Sequence, residues 1–260
     1  MPSPNGKHGK KVVVVMPAYN AARTLERTYA EIPKEWVDEV ILVDDGSRDE
    51  TVAVARRLAL RSPGEGWPPI KVIRHEHNRG YGANQKTCYT EALKDGADIV
   101  VMLHPDYQYD PKALPRFVEP IAAGRTDVVF GSRVLGGQAL RGGMPRYKYY
   151  SNEILTGLKN LALGASYTDL HTGYRAYSRR LLEAVPFMRN ADDVFFDGQM
   201  IFELHNKGFH ILEVPIPTMY HVDASSMGWQ VCTKYGIQVL GLIVRYPLHR
   251  AGLWRSRLFM

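Results

Sequence analysis

Short apolar runs recur along the chain, and each ends in a polar cluster. Residues 11–16 (KVVVVM), 39–43 (EVILV), 70–73, 99–103 and 127–130 are such runs. β-Branched runs without polar alternation predict strands buried on both faces. Between them the apolar period becomes helical. Leu25, Tyr29 and Ile32 fall at i, i+4, i+7 ahead of Pro33. Ser47 and Glu50 have capping-box spacing, which predicts a helix turning Val52, Ala55 and Leu58 inward. The segment 78–82 leads into a helix ending near Asp95. Asp110 and Pro111 have the N-cap and first-turn chemistry of a helix over 111–123, with Leu114, Phe117, Val118 and Ile121 on one face. Strands alternating with helices predict an α/β fold, a mainly parallel sheet flanked by helices.

The second half is less regular. Residues 62–69 and 136–150 read as loops, the latter Gly-rich, basic and mobile. Helices are expected over 151–163 and about 197–207, and a strand over 209–214, which Pro215 and Pro217 mark as an edge or an exit. Residues 236–244 are apolar but lie between Lys234 and Arg245. A helical membrane span needs about 20 such residues, so none is expected. Residues 1–11 lack the apolar core of a signal peptide. The expected division is a main domain over 1–225 and a basic amphipathic helical tail over 226–260.

Composition changes this picture little. A hydrophobic content of 45% and a charged content of 23% in 260 residues suit a globular protein with a sizeable core. Cys88 and Cys232 have no zinc spacing and suggest no disulfide framework. Charge says more. Five cations and no acid follow Asp223, so the tail carries most of the net charge of +6. The rest is near neutral, which argues against a nucleic-acid partner. A basic tail beside apolar residues suits either a negatively charged membrane surface or a helix packed on the domain. The expected location is cytoplasmic, peripheral on the cytoplasmic membrane face.

Polar groups stand at five strand ends: Tyr19 and Asn20, Asp44 and Asp45, Asn78 to Gly82, His104, Asp106 and Gln108, and Ser132 and Arg133. In an open α/β sheet such ends line one crevice. No G-x-G-x-x-G follows the first strand and no P-loop motif exists, which argues against dinucleotide and P-loop chemistry. Acids at two ends suit a ribose or base at one and a divalent metal at the other. Gly80 and Gly82 would let backbone approach a phosphate or sugar.

Six of these segments occur in the order and spacing of family 2 glycosyltransferases. They are Pro17-Ala18-Tyr19-Asn20, Val43 to Ser47, Asn78 to Ala83, Asp106 to Pro111, Gly131-Ser132-Arg133 and Thr172 to Arg175. Over residues 10–225 the chain most resembles the dolichyl-phosphate mannose synthase and polyprenyl-phosphate glycosyltransferase branch. The resemblance implies a GT-A fold, a Rossmann-like sheet with a C-terminal helical tail. It also implies a nucleotide-diphosphate sugar donor, Mg²⁺ or Mn²⁺, and inversion at the anomeric carbon. Asp44 and Asp45 would hold the nucleoside, with Pro17, Tyr19, Asn20, Asn78, Gly80 and Gly82 completing that site. The family's Asp-x-Asp-x-Gln metal motif falls on His104, Asp106 and Gln108. Arg133 matches the acceptor-phosphate arginine, with Arg146 and Arg175 beside it, and Asp106 and Arg133 would carry catalysis.

Two departures bear on this. His104 replaces the first Asp of the metal motif, removing one negative charge and leaving two roles open, on the metal or on the sugar. Residues 219–226 contain no Arg or Lys, where the family often has one, only His221. A lipid phosphate, mostly dianionic at pH 7, needs orientation and no general base. A hydroxyl acceptor would need one of Asp169, Asp192, Asp193 or Asp197 as base. The expected acceptor is a polyprenyl phosphate. The alternatives are a soluble hydroxyl acceptor, or a nucleotide-sugar binder without catalysis.

Overall fold

The structure is a computed structural model and describes residues 9–62, 64, 66–220 and 228–260. The five apolar runs form β1 (Val12–Ala18), β2 (Glu39–Asp44), β3 (Ile70–Arg74), β4 (Ile99–Met102) and β5 (Val128–Ser132). β6 (Arg175–Ser178) and β7 (Leu212–Pro215) complete one sheet, in the order β3-β2-β1-β4-β6-β5-β7. All pairings are parallel except those of β6, which runs antiparallel to β4 and β5. β7 pairs only with β5, so the prolines do mark an edge.

Side chains alternate across the sheet and build two cores. Val13, Val15, Ile41, Val43, Val100 and Met102 face one side, where α3 (Tyr81–Lys94), α7 (Arg179–Ala184), α8 (Phe195–Asn206) and α9 (Trp229–Arg250) pack. Val12, Val14, Met16, Val40, Leu42 and Val101 face the other, under α1 (Leu25–Ala30), α2 (Thr51–Arg61) and α4 (Pro115–Ala122). This is why the runs lack polar alternation: both faces are covered.

The structure departs from the sequence pattern at five places. β6 forms where four residues carrying Arg175 and Ser178 give no apolar run; its signal is alternation, with Tyr177 in one core and Ala176 in the other. α7 is a second element that the pattern does not predict. Ser47 and Glu50 do not form a capping box: α2 starts at Thr51, whose backbone N–H donates to Asp49 Oδ1 at 3.0 Å, and it buries Val54 rather than Val52. Residues 136–150 are not all loop. They contain α5 (Gln138–Arg141), and α6 (Arg146–Leu163) starts five residues earlier than expected. Finally, Pro111–Ala113 is a 3₁₀ turn capped by Asp110, and α4 follows it.

α6 buries Thr156 and Lys159 beside Leu163, while Tyr147, Tyr150, Ile154 and Leu161 lie exposed along one stripe. α9 packs against α6 and α8 through Tyr235, Val239, Leu242 and Tyr246, and exposes Ile237, Leu240 and Val244. Among the described residues no helix is long and apolar enough to cross a membrane. Lys159 Nζ donates to Tyr235 Oη at 3.1 Å across the α6–α9 seam. Burial pulls this ammonium down to about 7, Arg175 acts in the same direction, and Asp197 and Asp169 oppose it.

Because Lys159 has a lowered native pKa, the unfolded chain binds one more proton between about pH 7 and the ordinary lysine value. Stability should therefore rise with pH through that window, by about 1.4 kcal/mol per unit from this group. Urea unfolding across pH 7–10 should show a smaller slope for Lys159→Met and a more stable variant at pH 7.

Candidate active site

The carboxyl ends of β1, β2, β3, β4 and β5 share one edge of the sheet with the amino end of β6. That edge brings together most of the expected site residues. Pro17 is buried within β1, and Tyr19 is 45% exposed just beyond it. Asn20, at φ 51°, clamps the next turn: its N–H donates to Ser47 Oγ at 2.8 Å and its Oδ1 accepts from Arg48 N–H at 2.9 Å.

The two acids after β2 do different things. Asp45 is committed to its own chain. It accepts from Arg79 N–H at 2.9 Å and Gly80 N–H at 3.0 Å, and it meets His75 Nδ1 at 2.7 Å. It therefore shapes the 78–80 loop. Asp44 is fully buried, and Oδ2 accepts from Ser47 N–H at 3.1 Å while Oδ1 has no partner. A buried carboxylate oxygen left unpaired is costly unless something donates to it. Asn78 is exposed beside this loop.

Gly80 and Gly82 do permit a close approach, but to the chain itself. A Cβ on Gly80, at φ 100°, would meet Asp192 O at 2.5 Å, and one on Gly82 would clash with Ala191 O. The Gly82 N–H donates to Asp192 O at 2.7 Å, so the first turn of α3 is closed by the 191–193 segment.

After β4 the chain turns through Tyr107 at φ 56°, a conformation that non-glycine residues rarely adopt. Tyr107 holds this turn on α1 by donating to Glu31 Oε2 at 2.7 Å, with Arg27 over its ring at 3.8 Å. The turn sets Asp106 and Gln108 close: Asp106 Oδ1 accepts from Gln108 N–H at 3.1 Å. Among the described residues no three His, Cys, Asp or Glu groups form a ready metal site. His104, Asp106 and Gln108 offer one neutral nitrogen, one carboxylate and one amide. Such a set fits a cation that takes its other ligands from substrate phosphates and water.

His104 stacks on Tyr81, with centroids 5.6 Å apart and planes at 18°, and its Nε2 lies 3.3 Å from Tyr81 Oη. Burial lowers its pKa, Arg175 lowers it further, and Asp106 and Asp197 oppose. The ring is therefore neutral at pH 7.

Arg133 is buried in a two-point pair with Asp169, Nε–Oδ2 2.7 Å and NH2–Oδ1 2.9 Å, and its NH1 donates to Tyr220 Oη at 3.2 Å. Burial works against ionisation of Asp169, and Arg133 overcomes it, holding the carboxylate below its usual range. Glu213 of β7 accepts from the Asp169 N–H at 2.8 Å and fixes this loop. Lys148 lies over the Tyr220 ring at 5.5 Å, and Arg146 is exposed at the start of α6. Arg175 does not reach the surface: it is 1% exposed, its Nε donates to Thr172 O at 2.8 Å and its NH1 pairs with Asp197 Oδ1 at 2.9 Å. His221 lies outside the described residues.

The sequence reading missed Tyr81 and Lys148 as site residues, and Asp197 entered only as a candidate base. Only the i, i+4 spacing of Tyr81 and Gln85 marks Tyr81 beforehand, and no such signal marks Lys148.

The family model for glycosyl transferase family 2 matches residues 13–185. The dolichyl-phosphate hexose transferase of Haloferax volcanii is 31% identical over 208 residues, 79% of this chain and 82% of that protein. The UDP-N-acetylglucosamine–dolichyl-phosphate N-acetylglucosaminyltransferase of Methanococcus voltae is 27% identical over 235 residues, 88% and 93% of the two chains. Glucosyl-3-phosphoglycerate synthase from Mycobacterium tuberculosis, solved with Mn²⁺, UDP and glucosyl-3-phosphoglycerate, superposes with a TM-score of 0.64 at 22% identity. That match covers 96% of this chain and 83% of the other, and it identifies the fold as GT-A.

The Arg133–Asp169 pair makes a stability prediction. A lowered native pKa means that its contribution is complete above about pH 4 and is lost as pH falls through the native value. Asp169→Asn at pH 7 leaves a buried guanidinium without its counter-charge and should cost about 3–5 kcal/mol in urea unfolding. Adding Arg133→Met should recover part of the loss.

Proposed function

Because the chain belongs to glycosyl transferase family 2, we propose that it transfers a sugar from a nucleotide-diphosphate sugar to the phosphate of a polyprenyl (dolichyl-type) lipid, with inversion at the anomeric carbon. The observation that carries the choice of acceptor is the exposed apolar stripe of α6. Its exposed Tyr147, Tyr150, Ile154 and Leu161, with Ile237, Leu240 and Val244 of the adjoining α9, give the domain an apolar face. Apolar patches on otherwise polar proteins mark sites of contact. Arg146 and Lys148 begin α6, and Arg245 and Arg250 end α9. This chemistry suits an anionic lipid headgroup and its chain at a membrane surface.

On the donor side, the unpaired Asp44 Oδ1 accepts from the base or ribose, and exposed Tyr19 offers a ring for stacking. Pro17, Asn20, Asp45, Asn78, Gly80 and Gly82 shape the walls around them. Asp106, with His104 and Gln108, would hold Mg²⁺ or Mn²⁺ against the diphosphate. When bound, such an ion neutralises charge developing on the leaving group.

The acceptor phosphate oxygen attacks the anomeric carbon from the face opposite the diphosphate. A carbon–oxygen bond to the acceptor forms, the bond to the donor phosphate breaks, and the nucleoside diphosphate leaves with the electron pair. No proton needs to move. The four carboxylates that a hydroxyl acceptor would call on are already engaged. Asp169 pairs with Arg133, Asp192 with Lys86 at 2.7 Å, Asp193 with Lys234 at 2.8 Å, and Asp197 with Arg175. Lys148 and Arg146 orient the acceptor phosphate, while Arg133, held by Asp169 and Tyr220, and Arg175, held by Asp197, act from beneath.

Nucleoside diphosphate release from a panel of sugar nucleotides, with Mg²⁺ or Mn²⁺ and with or without a short-chain polyprenyl phosphate, tests this. One donor should turn over only with lipid phosphate and metal together. Turnover with an alcohol or sugar hydroxyl but not with lipid phosphate would reject the acceptor.

A further inference from the structure

The resemblance leads one to expect a carboxylate at position 104, and the chain places an imidazole there. The environment of that ring decides which of its nitrogens is a donor. Tyr81 Oη donates its only proton to Asp197 Oδ2, at 3.1 Å. Asp197 is held from its other oxygen: Oδ1 accepts from Gln85 Nε2 at 3.0 Å and pairs with Arg175 NH1 at 2.9 Å. Gln85 cannot flip its amide without losing the proton that Tyr89 Oη donates to its Oε1 at 2.8 Å. With its proton committed, Tyr81 Oη turns only lone pairs toward His104 Nε2, 3.3 Å away. Nε2 must then carry the hydrogen, which leaves the ring's lone pair on Nδ1. The Nε2 edge is also wedged, because a Cβ on Gly173 would stand 2.8 Å from both Nε2 and Cδ2.

We propose that Tyr81 and Asp197 are positioning residues that lock His104 as the Nε2–H tautomer, leaving the lone pair of a neutral ligand on Nδ1 and biasing the site toward Mn²⁺ over Mg²⁺. The donor that orients a ligating imidazole is part of a metal site as much as the ligand is. A nitrogen in the ligand set disfavours Mg²⁺, which takes oxygen ligands, more than Mn²⁺. The metal half of this proposal rests on the glycosyltransferase reading, and the tautomer half does not.

Long-range ¹H–¹⁵N NMR of the metal-free, ¹⁵N-labelled full chain reads the tautomer directly. His104 should be Nε2–H in the wild type and a mixture in Tyr81→Phe, a variant that keeps the ring stack. Mn²⁺ alone, titrated by electron paramagnetic resonance, should bind Tyr81→Phe about 10–100-fold more weakly. His104→Asp should shift the Mg²⁺-to-Mn²⁺ affinity ratio toward Mg²⁺. An Nδ1–H tautomer in the wild type would overturn the proposal. So would a Tyr81→Phe variant with wild-type tautomer and wild-type Mn²⁺ affinity. A locked tautomer and tight Mn²⁺ binding in a protein that consumes no sugar nucleotide would uphold the positioning and reject the glycosyltransferase activity.

Discussion

The buried pair between Arg175 and Asp197 ties the sheet to the site. Arg175 opens the one antiparallel strand, so its side chain enters at the edge where the parallel strands end, between β4 and β5. There it lies over Phe130 at 4.6 Å and meets Asp197 from α8. Breaking such a pair leaves an uncompensated charge in the interior, which costs far more than the pair itself gains. Asp197 then has one fixed direction for its second oxygen, toward Tyr81, and Tyr81 fixes His104. A strand reversal in the sheet thus reaches, through three side chains, the ring that stands next to Asp106.

In the proposed function the same edge divides into a donor half and an acceptor half. At the donor half, carboxylates do two jobs with neighbouring residues. Asp45 is spent on backbone N–H groups of the 79–80 segment, while Asp44 keeps one oxygen unpaired. At the acceptor half, Arg133 and Asp169 are locked together, and the more accessible cations come from α6. The 191–193 segment closes on Gly80 and Gly82 by backbone contact, with the Phe196 side chain at the start of α8 beside Gly82.

Much of this was legible in the sequence, for a physical reason. Strands buried on both faces leave uninterrupted Val and Ile runs, and each run stopped close to where the strand stops. The polar clusters at their ends followed from the direction of a parallel sheet. What was not legible depended on contacts between distant segments. β6 carries Arg175, which looks like a surface residue until Asp197 is seen to neutralise it. Lys159 looks solvent-facing by type, and the exposed apolar stripe of α6 would normally be assigned to the core. The assignment of Gly80 and Gly82 to a ligand was reasonable from spacing, but their space is taken by residues more than a hundred positions away.

The proposed function turns on a lipid-phosphate acceptor. Incubating the protein with its active sugar nucleotide, a divalent metal, a short-chain polyprenyl phosphate and a soluble alcohol acceptor together, then identifying the glycosylated product by mass spectrometry and its anomeric configuration by NMR, tests that claim most directly. The account predicts a glycosyl polyprenyl phosphate whose anomeric configuration is opposite to that of the donor. Sugar recovered on the alcohol, with the lipid phosphate unchanged, would contradict it.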